Sequence, residues 1–348
     1  MRVPSESLVI LIPCFNDWES VGLLMPAIDR ALSGTTWHVS VLVVDDASAE
    51  VAPQNWPKGS LNHIESIEIL HLRTNLGHQR AIALGLYHAH EFTDAAAVLV
   101  MDGDGEDRPE DLPELLAEFE RGGGLEVVFA ARGKRLESAA FRFFYRVYRI
   151  AHRILTGIEV RAGNFSVIPR RALTRLMAVS DVWNHYAAAV YRARLPRRLL
   201  PLARGRRLAG ESRMNFVSLL VHGLTAISVF SDRVSVRLLA ASAGFAALVL
   251  AMIALTVGIR LGTGLAVPGW ATYTVGLLVI VVLQLLTFAT LFVFTIASRR
   301  SAVSFLLPRD APYFLLGKTV VRGSAQLARL NRALTQAGET QVPTEAGS

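Results

Sequence analysis

The sequence predicts an α/β fold with a mostly parallel sheet, followed by a two-helix transmembrane hairpin. Two observations lead to this prediction. In the first 232 residues, short β-branched or aliphatic runs alternate with stretches of helical spacing, an order typical of parallel sheets flanked by helices. Beyond them, two long segments carry no charge and are dense in Leu, Val, Ile and Phe, as membrane-spanning helices are.

Four short apolar runs predict buried strands, and the spacing between them predicts the flanking helices. The strands are Leu8–Ile12, Val39–Val44, Ile67–Leu72 and Ala96–Met101, and the clearest helices are Val21–Leu32 and Gln79–Glu91. Ligands of such sheets bind beyond the carboxyl ends of the strands. Each motif described below directly follows one of these strands, so we expect the motifs to meet at one edge of the sheet.

The two uncharged segments are long enough to cross a bilayer. Leu238–Ile259 covers about 33 Å as a helix, and Thr274–Ala297 is similar in length and composition. Two buried helices of a soluble core are the alternative, which is disfavoured because neither segment has a polar face. Arginines flank the hairpin on both outer sides, at Arg233, Arg237, Arg299, Arg300 and Arg309. Because positive flanks stay cytoplasmic, the large domain and both termini are expected in the cytoplasm.

These patterns divide the chain into three parts. Residues 1–232 are expected to form the globular domain, 233–300 the hairpin, and 301–348 a cytoplasmic tail whose small, polar end predicts disorder. Within the first part, 141–155 is basic, aromatic and amphipathic, which favours a position at the membrane interface. The uncharged segment 216–231 is too short to span and is expected to lie along the same surface.

Composition narrows the function classes. The chain has 348 residues, is 52% hydrophobic and carries a net charge of +7, which favours an acidic partner such as anionic lipid or a phosphorylated substrate. Its single cysteine, Cys14, excludes an intrachain disulfide. Nucleic acid is the least favoured partner, because the arginines adjoin the apolar helices and lack interleaved stacking aromatics.

Acidic side chains crowd into the segment MDGDGED after the fourth predicted strand. Asp102, Asp104, Glu106 and Asp107 would repel one another unless a cation neutralised them, and Mg²⁺ or Mn²⁺ takes such carboxylates together with phosphate oxygens. A turn that caps the helix starting near Pro109 is the alternative, and it stays open on this motif alone. A calcium loop of the EF-hand type is excluded, because the sixth position from Asp102 holds Asp107 where that loop needs Gly.

Three weaker motifs follow the other predicted strands. VVDDAS places Asp45 and Asp46 at a strand end, where they either accept hydrogen bonds from a base and ribose or simply cap a turn. IPCFND offers the ring of Phe15 to a nucleotide base. NLGHQRAIALG combines Gly77 with a helix start able to face phosphate, and His78 is interpreted there as a turn or capping residue.

In their order along the chain, these four motifs resemble glycosyltransferase family 2. Within it they resemble the polyprenyl-phosphate glycosyltransferases, the group that includes dolichyl-phosphate mannose synthase. IPCFND is similar to the family's PVYNE segment, VVDDAS to VDDGS, NLGHQRAIALG to its N-x-G segment and MDGDGEDRPEDLPEL to its DxD motif. AGESR at 209–213, preceded by Arg207, is similar to the R…GxSK segment. The resemblance covers about residues 8 to 300.

The resemblance implies a GT-A fold, which is Rossmann-like, and an inverting transfer of a sugar from a UDP- or GDP-linked donor to a polyprenyl phosphate. The positions that match the family's nucleotide-sugar motifs are Pro13, Phe15, Asp17, Asp45, Asp46, Gly77, Asp102, Gly103 and Asp104. Mg²⁺ or Mn²⁺ would be held by Asp102, Asp104 and Glu106. Catalytic contacts would come from Asp104 and from three arginines suited to phosphate, namely Arg132, Arg207 and Arg213.

Three positions depart from the family pattern. Asp17 stands where Glu is usual and Glu106 where Gln is common, and both changes are conservative. Asn164 stands where relatives often carry Asp, which puts a catalytic role for that position in doubt.

Other functions stay open at this point. One is a family 2 transferase acting on another membrane acceptor, such as a glycolipid or polysaccharide. Another is a non-catalytic membrane scaffold that binds nucleotide-sugar, against which the intact Asp102 and Asp104 pair argues. The sugar, the choice between UDP and GDP, and assembly as a homo-oligomer are left undecided by the sequence.

Overall fold

The computed structural model describes residues 6–54, 56–57, 59–132, 146, 150–157, 162–205, 207–209, 223–263, 269–301 and 305–323. The side chains of Arg132 and of residues 299–301 are outside this description. The chain divides into two compact units. The first contains residues 1–136, 160–216 and 305–348, and the second contains 137–159 and 217–304.

A mixed sheet forms the centre of the first unit. Within the described residues its eight strands are β1 (Ser7–Cys14), β2 (His38–Asp45), β3 (Ile64–Leu72), β4 (Ala97–Val100), β5 (Val127–Arg132), β6 (Ser166–Pro169), β7 (Arg197–Leu202) and β8 (Leu315–Arg322). Their spatial order is β7-β5-β6-β4-β1-β2-β3-β8. The central strands β4, β1, β2 and β3 are parallel, whereas β6 and β8 run antiparallel to their neighbours.

Helices flank the sheet in the first unit and form most of the second. In chain order the helices are α1 (Trp18–Ala31), α2 (His78–Phe92), α3 (Leu112–Arg121), α4 (Arg170–Met177), α5 (Tyr186–Arg192), α6 (Ser231–Gly262), α7 (Trp270–Ser301) and α8 (Leu307–Asp310). Short 3₁₀ turns lie at Pro109–Asp111, Ser180–Trp183 and Ala311–Phe314. The predicted α/β fold and its mostly parallel centre are confirmed. The strands β1 to β3 extend beyond the predicted bounds by one to three residues, whereas β4 is one residue shorter at each end than predicted.

The core explains why these segments are strands. From Leu8 to Cys14 every residue of β1 is buried, and so are the last five residues of β2. A strand covered on both faces needs the continuous aliphatic run that the sequence shows. The register pairs Cys14 at the end of β1 with Asp45 at the end of β2, so the segments that follow both strands begin at one edge of the sheet.

Strand β8 is a feature that the sequence analysis did not predict. It follows α7 in the chain and pairs antiparallel with β3, at the outer edge of the sheet. The segment 301–348 is therefore more than a tail, because part of it completes the sheet of the first unit. Residues 324–348, whose disorder the sequence predicts, lie outside the described residues.

The second unit contains the two apolar helices. Helices α6 and α7 pack along each other and are long and apolar enough to cross a membrane. In the most apolar stretch of each helix, only 6% and 0% of the residues are buried within the protein. The side chains there face outward rather than forming a soluble core. The predicted two-helix hairpin is confirmed, and both helices exceed the predicted spans by several residues.

Part of the predicted interfacial helix 141–155 also belongs to this unit. Residues 150–156 are helical, with Ile150 and Ile154 exposed. Arg237 of α6 donates to the backbone carbonyl oxygen of Ile154, which places a cation at the helix end where the dipole favours it. Residues 141–145, 147–149 and 216–222 lie outside the described residues, and the interfacial position of both segments stays a prediction.

Candidate active site

Three acidic segments extend from neighbouring strands at the same edge of the sheet. They follow β1, β2 and β4, which lie side by side in the order β4-β1-β2. Parallel strands bring their carboxyl ends together, and that edge is where ligands of such sheets bind. The sequence prediction that these motifs meet is therefore supported by the observed topology.

The Asp46 carboxylate is held by backbone. It is buried, and its two oxygens accept the amide N–H groups of Leu76 at 2.7 Å and Gly77 at 2.8 Å. Burial raises the pKa of Asp46, while the two amides act in the opposite direction. Gly77 adopts φ +89° just before α2. In this conformation its amide N–H donates a hydrogen bond to the Asp46 carboxylate. These contacts tie the segment after β3 to the end of β2.

The neighbouring Asp45 has different partners. One carboxylate oxygen accepts the amide N–H of Ser48 at 3.0 Å, and the other lies 3.0 Å from Nδ1 of His71. The Ser48 hydroxyl accepts the amide N–H of Asn16 at 2.8 Å, which links the segment after β2 to the one after β1. Asp45 therefore lies in a connected polar layer across the strand ends.

The segment after β1 exposes an aromatic ring. Phe15 is 41% exposed, whereas Pro13 is buried within β1. Asn16 takes φ +50°, and its side-chain oxygen accepts the amide N–H of Ala49 at 2.8 Å. The exposed part of the Phe15 ring can stack on a ligand, and the predicted contact of Pro13 with the nucleotide stays a prediction.

The acidic turn after β4 is tightly wound. The amide N–H of Asp102 donates to the Asp107 carboxylate at 2.8 Å, and the amide N–H of Glu106 donates to Asp104 at 3.0 Å. Gly103 packs so closely that an added Cβ would lie 2.9 Å from Val21. Asp107 and one oxygen of Asp104 thus help to shape the turn, whereas Arg108, which precedes the 3₁₀ turn at Pro109–Asp111, makes no side-chain capping hydrogen bond. Asp102 and Asp104 also face cationic neighbours.

Arg207 joins two of the acidic segments. Its Nη2 donates to Asp17 Oδ2 at 2.9 Å, and its Nη1 lies 3.8 Å from Asp104 Oδ2. Nε donates to the carbonyl oxygen of Ala209 at 2.9 Å, and the amide N–H of Leu208 donates to the carbonyl oxygen of Asp104 at 2.9 Å. The predicted residues Asp17, Asp104 and Arg207 are therefore brought together, with the guanidinium about one-quarter exposed.

Glu106 faces another arginine. Its carboxylate forms an ion pair with Arg204, and its carbonyl oxygen accepts the amide N–H of Gly205 at 2.8 Å. Among the described residues, no three Asp, Glu, His or Cys side chains converge to form a metal site. The predicted trio of Asp102, Asp104 and Glu106 is therefore not assembled as a set of three ligands, because Glu106 is engaged by Arg204.

Asp102 and Asp104 still suit a hard divalent cation. Mg²⁺ and Mn²⁺ prefer carboxylate oxygens and take one or two of them, filling the remaining positions with water and phosphate oxygens. Both side chains are about one-fifth exposed, with Asp102 facing His78 and Asp104 facing Arg207. The donor chemistry therefore fits the predicted ion through this pair.

Two residues that the sequence analysis set aside contact Asp102. His78 Nε2 lies 3.2 Å from Asp102 Oδ1 and 2.8 Å from Nδ2 of Asn164. Gln79 donates from Nε2 to Asn164 Oδ1 at 3.0 Å and accepts the amide N–H of Tyr186 through Oε1 at 2.8 Å. Asn164 therefore lies at the site, held by a second layer of hydrogen bonds.

The charge on His78 reflects its surroundings. The side chain of His78 is 42% exposed, and the partial desolvation of its ring disfavours the imidazolium, but Asp102, followed by Asp107 and Asp104, outweighs this and raises the pKa of His78. The signal that could have identified His78 is its place at the start of a helix, directly after Gly77 and opposite a predicted acidic turn. The position of His78 in the sequence does not by itself indicate that it contacts the acidic turn.

Two predicted arginines are not placed. Arg132 ends β5, and its backbone pairs with Leu202 of β7, but its side chain is outside the described part of the structure. Arg213 lies outside the described residues altogether. Their predicted contacts with phosphate stay predictions.

Comparison with known proteins now identifies the domain. Residues 9–177 match the family described as Glycosyl transferase family 2. The chain contains a family 2 glycosyltransferase domain. The match includes β1 to β4 and the acidic turn, and it ends at the last residue of α4.

Several curated proteins resemble the family 2 domain and the residues around it. The uncharacterized glycosyltransferase YkcC of Bacillus subtilis is 23% identical over 229 residues, which is 64% of this chain and 68% of that protein. An undecaprenyl-phosphate 4-deoxy-4-formamido-L-arabinose transferase of Pseudomonas fluorescens is 27% identical, covering 45% of this chain and 44% of its own. The dodecaprenyl-phosphate galacturonate synthase of Rhizobium johnstonii is 29% identical over 34% of each chain.

The chain therefore spans less than half the length of the latter two relatives. Among solved structures, glucosyl-3-phosphoglycerate synthase of Mycobacterium tuberculosis in complex with Mn²⁺, UDP-glucose and phosphoglyceric acid is 14% identical. Its TM-score is 0.48, and the match covers 66% of this chain and 79% of that one.

Proposed function

We propose that the protein transfers a sugar from a nucleotide-sugar, UDP- or GDP-linked, to a polyprenyl phosphate at the cytoplasmic face of a membrane. The observation that carries the proposal is the position of Arg207, whose guanidinium lies between Asp17 after β1 and Asp104 after β4. A fork of N–H donors beside carboxylates at a strand edge is suited to a diphosphate bound through a divalent cation.

The protein's own residues suggest how the donor binds. Phe15 offers an exposed ring for stacking on the base, and Asp45 lies at the adjacent strand end with acceptor oxygens for base or ribose. Asp102 and Asp104 would hold Mg²⁺ or Mn²⁺. When bound, this ion neutralises charge that grows on the departing diphosphate. Arg207 then exchanges a carboxylate partner for a phosphate oxygen, so the site stays close to neutral.

The proposed transfer inverts the anomeric centre. A phosphate oxygen of the acceptor attacks the anomeric carbon, the bond from that carbon to the nucleoside diphosphate breaks, and the electron pair leaves with the diphosphate. A phosphate monoester has a second pKa near 6, so the acceptor is mostly dianionic at neutral pH. The residues near the reaction are therefore required to orient and neutralise rather than to remove a proton.

The polyprenyl acceptor is supported by two independent features. Two of the relatives are named undecaprenyl-phosphate 4-deoxy-4-formamido-L-arabinose transferase and dodecaprenyl-phosphate galacturonate synthase. The family 2 domain is followed by two helices of membrane-spanning length, with arginines on both outer flanks. Such flanks favour a cytoplasmic position for both termini, where nucleotide-sugars are available.

A donor and acceptor screen tests the proposal. The purified full chain in detergent is incubated with radiolabelled UDP- or GDP-sugars, undecaprenyl or dolichyl phosphate, and Mn²⁺. We expect label to enter the lipid phase only when polyprenyl phosphate and the cation are both present, and to be lost with Asp104→Asn. Transfer to a glycolipid or polysaccharide instead would identify another acceptor, and donor binding without any transfer would indicate a scaffold.

A further inference from the structure

A row of three polar side chains crosses the end of the sheet and includes strand β8. His71 of β3 lies between the other two, with Nδ1 at 3.0 Å from Asp45 Oδ2 of β2 and Nε2 at 2.9 Å from the Thr319 hydroxyl of β8. Thr319 comes after α7 in the chain. A residue beyond the two apolar helices is thus connected to an acidic residue of the proposed donor site.

The strand register produces this row. Asp45 and His71 are direct partners in the parallel pair β2 and β3, so their side chains lie on one face. In the antiparallel pair, Thr319 is opposite Ile69 and Gly317 is opposite His71, so Thr319 lies diagonally from His71 on the same face.

The hydrogen bonds have a defined direction. An ionised carboxylate only accepts, so Nδ1 of His71 must donate to Asp45. In the neutral imidazole Nε2 is then the acceptor, and the Thr319 hydroxyl donates to it. The Asp45 carboxylate therefore sets the tautomer of His71, and the Thr319 hydroxyl, which donates to Nε2, holds the ring in the orientation that directs its Nδ1–H at Asp45.

Asp45 is a residue whose orientation matters. Its side chain is 11% exposed, and its oxygens are each engaged from one side, by Ser48 and by His71. Two donors on different oxygens fix the plane of the carboxylate. The remaining acceptor positions then point in one direction instead of sampling several.

We propose that Thr319 and His71 are positioning residues that orient Asp45 for the nucleoside part of the donor. The inference deepens the proposed function and rests on it, since it requires that a nucleotide binds beside Asp45. It assigns β8 a role in donor recognition besides its pairing with β3. The diphosphate end of the donor, near Asp104 and Arg207, is not affected by this row.

The test compares two substitutions at one position. Thr319→Val keeps the shape and removes the hydroxyl, whereas Thr319→Ser keeps the hydroxyl. Lys318→Ala is the matched control, because Lys318 binds Glu68 across the same strand pair at 3.2 Å but does not contact the row. Dissociation constants are measured by calorimetry on the full chain in detergent, with UDP and GDP, the corresponding nucleosides, and pyrophosphate with Mn²⁺.

We expect Thr319→Val to weaken binding of the preferred nucleoside diphosphate and its nucleoside by about three- to tenfold. Pyrophosphate binding and the melting temperature should be unchanged, and Thr319→Ser and Lys318→Ala should stay within about twofold of the unsubstituted protein. His71→Phe should match Thr319→Val or exceed it, because it removes the donor to Asp45 itself.

Distinct outcomes overturn the two proposals. If the unsubstituted chain binds UDP or GDP and Thr319→Val does not weaken that binding, the positioning role is wrong and the proposed function stands. The role is also wrong if Lys318→Ala is as harmful, or if pyrophosphate binding falls equally, since both would indicate a purely structural strand. If no nucleotide binds the unsubstituted chain, both proposals are wrong.

Discussion

The two acidic strand ends, after β2 and after β4, are alike in sequence and differ in how their carboxylates are held. After β2, the side chain of Asp46 accepts two hydrogen bonds within the described residues, both from backbone amides, those of Leu76 and Gly77. After β4, Asp102 and Asp104 face side chains, those of His78 and Arg207. Backbone donors are fixed by the fold, whereas a guanidinium or imidazole can change its rotamer and its partner.

This difference separates a structural role from a chemical one. The buried Asp46 carboxylate ties two chain segments together through the two backbone amides that it accepts, so its position is set by the fold. A partly exposed carboxylate beside a cationic side chain can exchange that side chain for a metal ion. Two aspartates at a strand end are therefore not in themselves a ligand site. The hydrogen-bond donors around them determine whether the carboxylates can bind a ligand.

The largest expected effect is on activity at the second strand end. Asp104→Asn removes a charge that the proposed cation and Arg207 both require, so we expect sugar transfer to fall about 100-fold or more. The melting temperature should change little, because Asp104 is partly exposed and Asn keeps the oxygen that accepts the Glu106 amide. Radiolabel transfer and thermal unfolding on the same preparation measure both. Full activity would remove Asp104 from the site.

The opposite result is expected at the first strand end. Asp46→Ala leaves the amides of Leu76 and Gly77 without their acceptor in a buried position, so the free energy of unfolding should fall by about 1–3 kcal/mol. Chemical denaturation of the full chain in detergent measures it, with Asp104→Ala as the matched control. Equal stability of the two variants would contradict the distinction between the strand ends.

A smaller effect sharpens the composition of the proposed cation site. Glu106→Gln removes the ion pair with Arg204 and should reduce transfer by less than about tenfold. Its requirement for Mn²⁺ should be unchanged, because Glu106 faces Arg204 rather than Asp102 and Asp104. A titration of activity against Mn²⁺ distinguishes the cases. A higher Mn²⁺ requirement would restore Glu106 as a ligand, as the sequence resemblance implies.

The smallest effect concerns Cys14, which ends the strand between the two acidic strand ends. Cys14 is buried at the end of β1, its carbonyl oxygen accepts the amide N–H of Asp46 at 2.8 Å, and burial raises the pKa of its thiol to about 12. The thiol should therefore resist alkylation at pH 8 until the protein unfolds. The unfolded chain loses this proton first, so stability should decline as pH rises above about 9.

Cys14→Ser provides the control for both measurements. It should abolish labelling and reduce the alkaline decline, since a serine hydroxyl does not ionise in this range. Rapid labelling of the native protein at pH 8 would contradict the buried position.

The parts of the fold that the sequence predicted are those governed by local pattern. Buried parallel strands need continuous aliphatic runs, so β1 and β2 were evident from LVILI and VSVLVV. The apolar helices were evident from length and absence of charge. The exposed edge strand β8, LLGKTVVR, has neither signal, because its residues from Leu316 to Val321 are all exposed and it is defined by pairing with a strand far away in sequence.

The candidate site, like the fold, was predictable where it depends on local sequence pattern. The acids after β1, β2 and β4 were identified from their place behind strands, and the structure brings Asp17 and Asp104 together through Arg207. Which donors surround each acid depends on contacts between distant segments. His78 beside Asn164, and Glu106 beside Arg204, are of that kind, so neither pairing was evident from the local sequence pattern.

The position of β8 in the chain has a consequence for synthesis. The ribosome synthesises β1 to β7 before either apolar helix. Strand β8, the outer neighbour of β3, is synthesised only after both helices. Completion of the sheet must therefore wait until both apolar helices have been synthesised. A shortened protein that stops before residue 305, prepared to avoid detergent, would expose the edge of β3 to pairing between molecules and would favour aggregation.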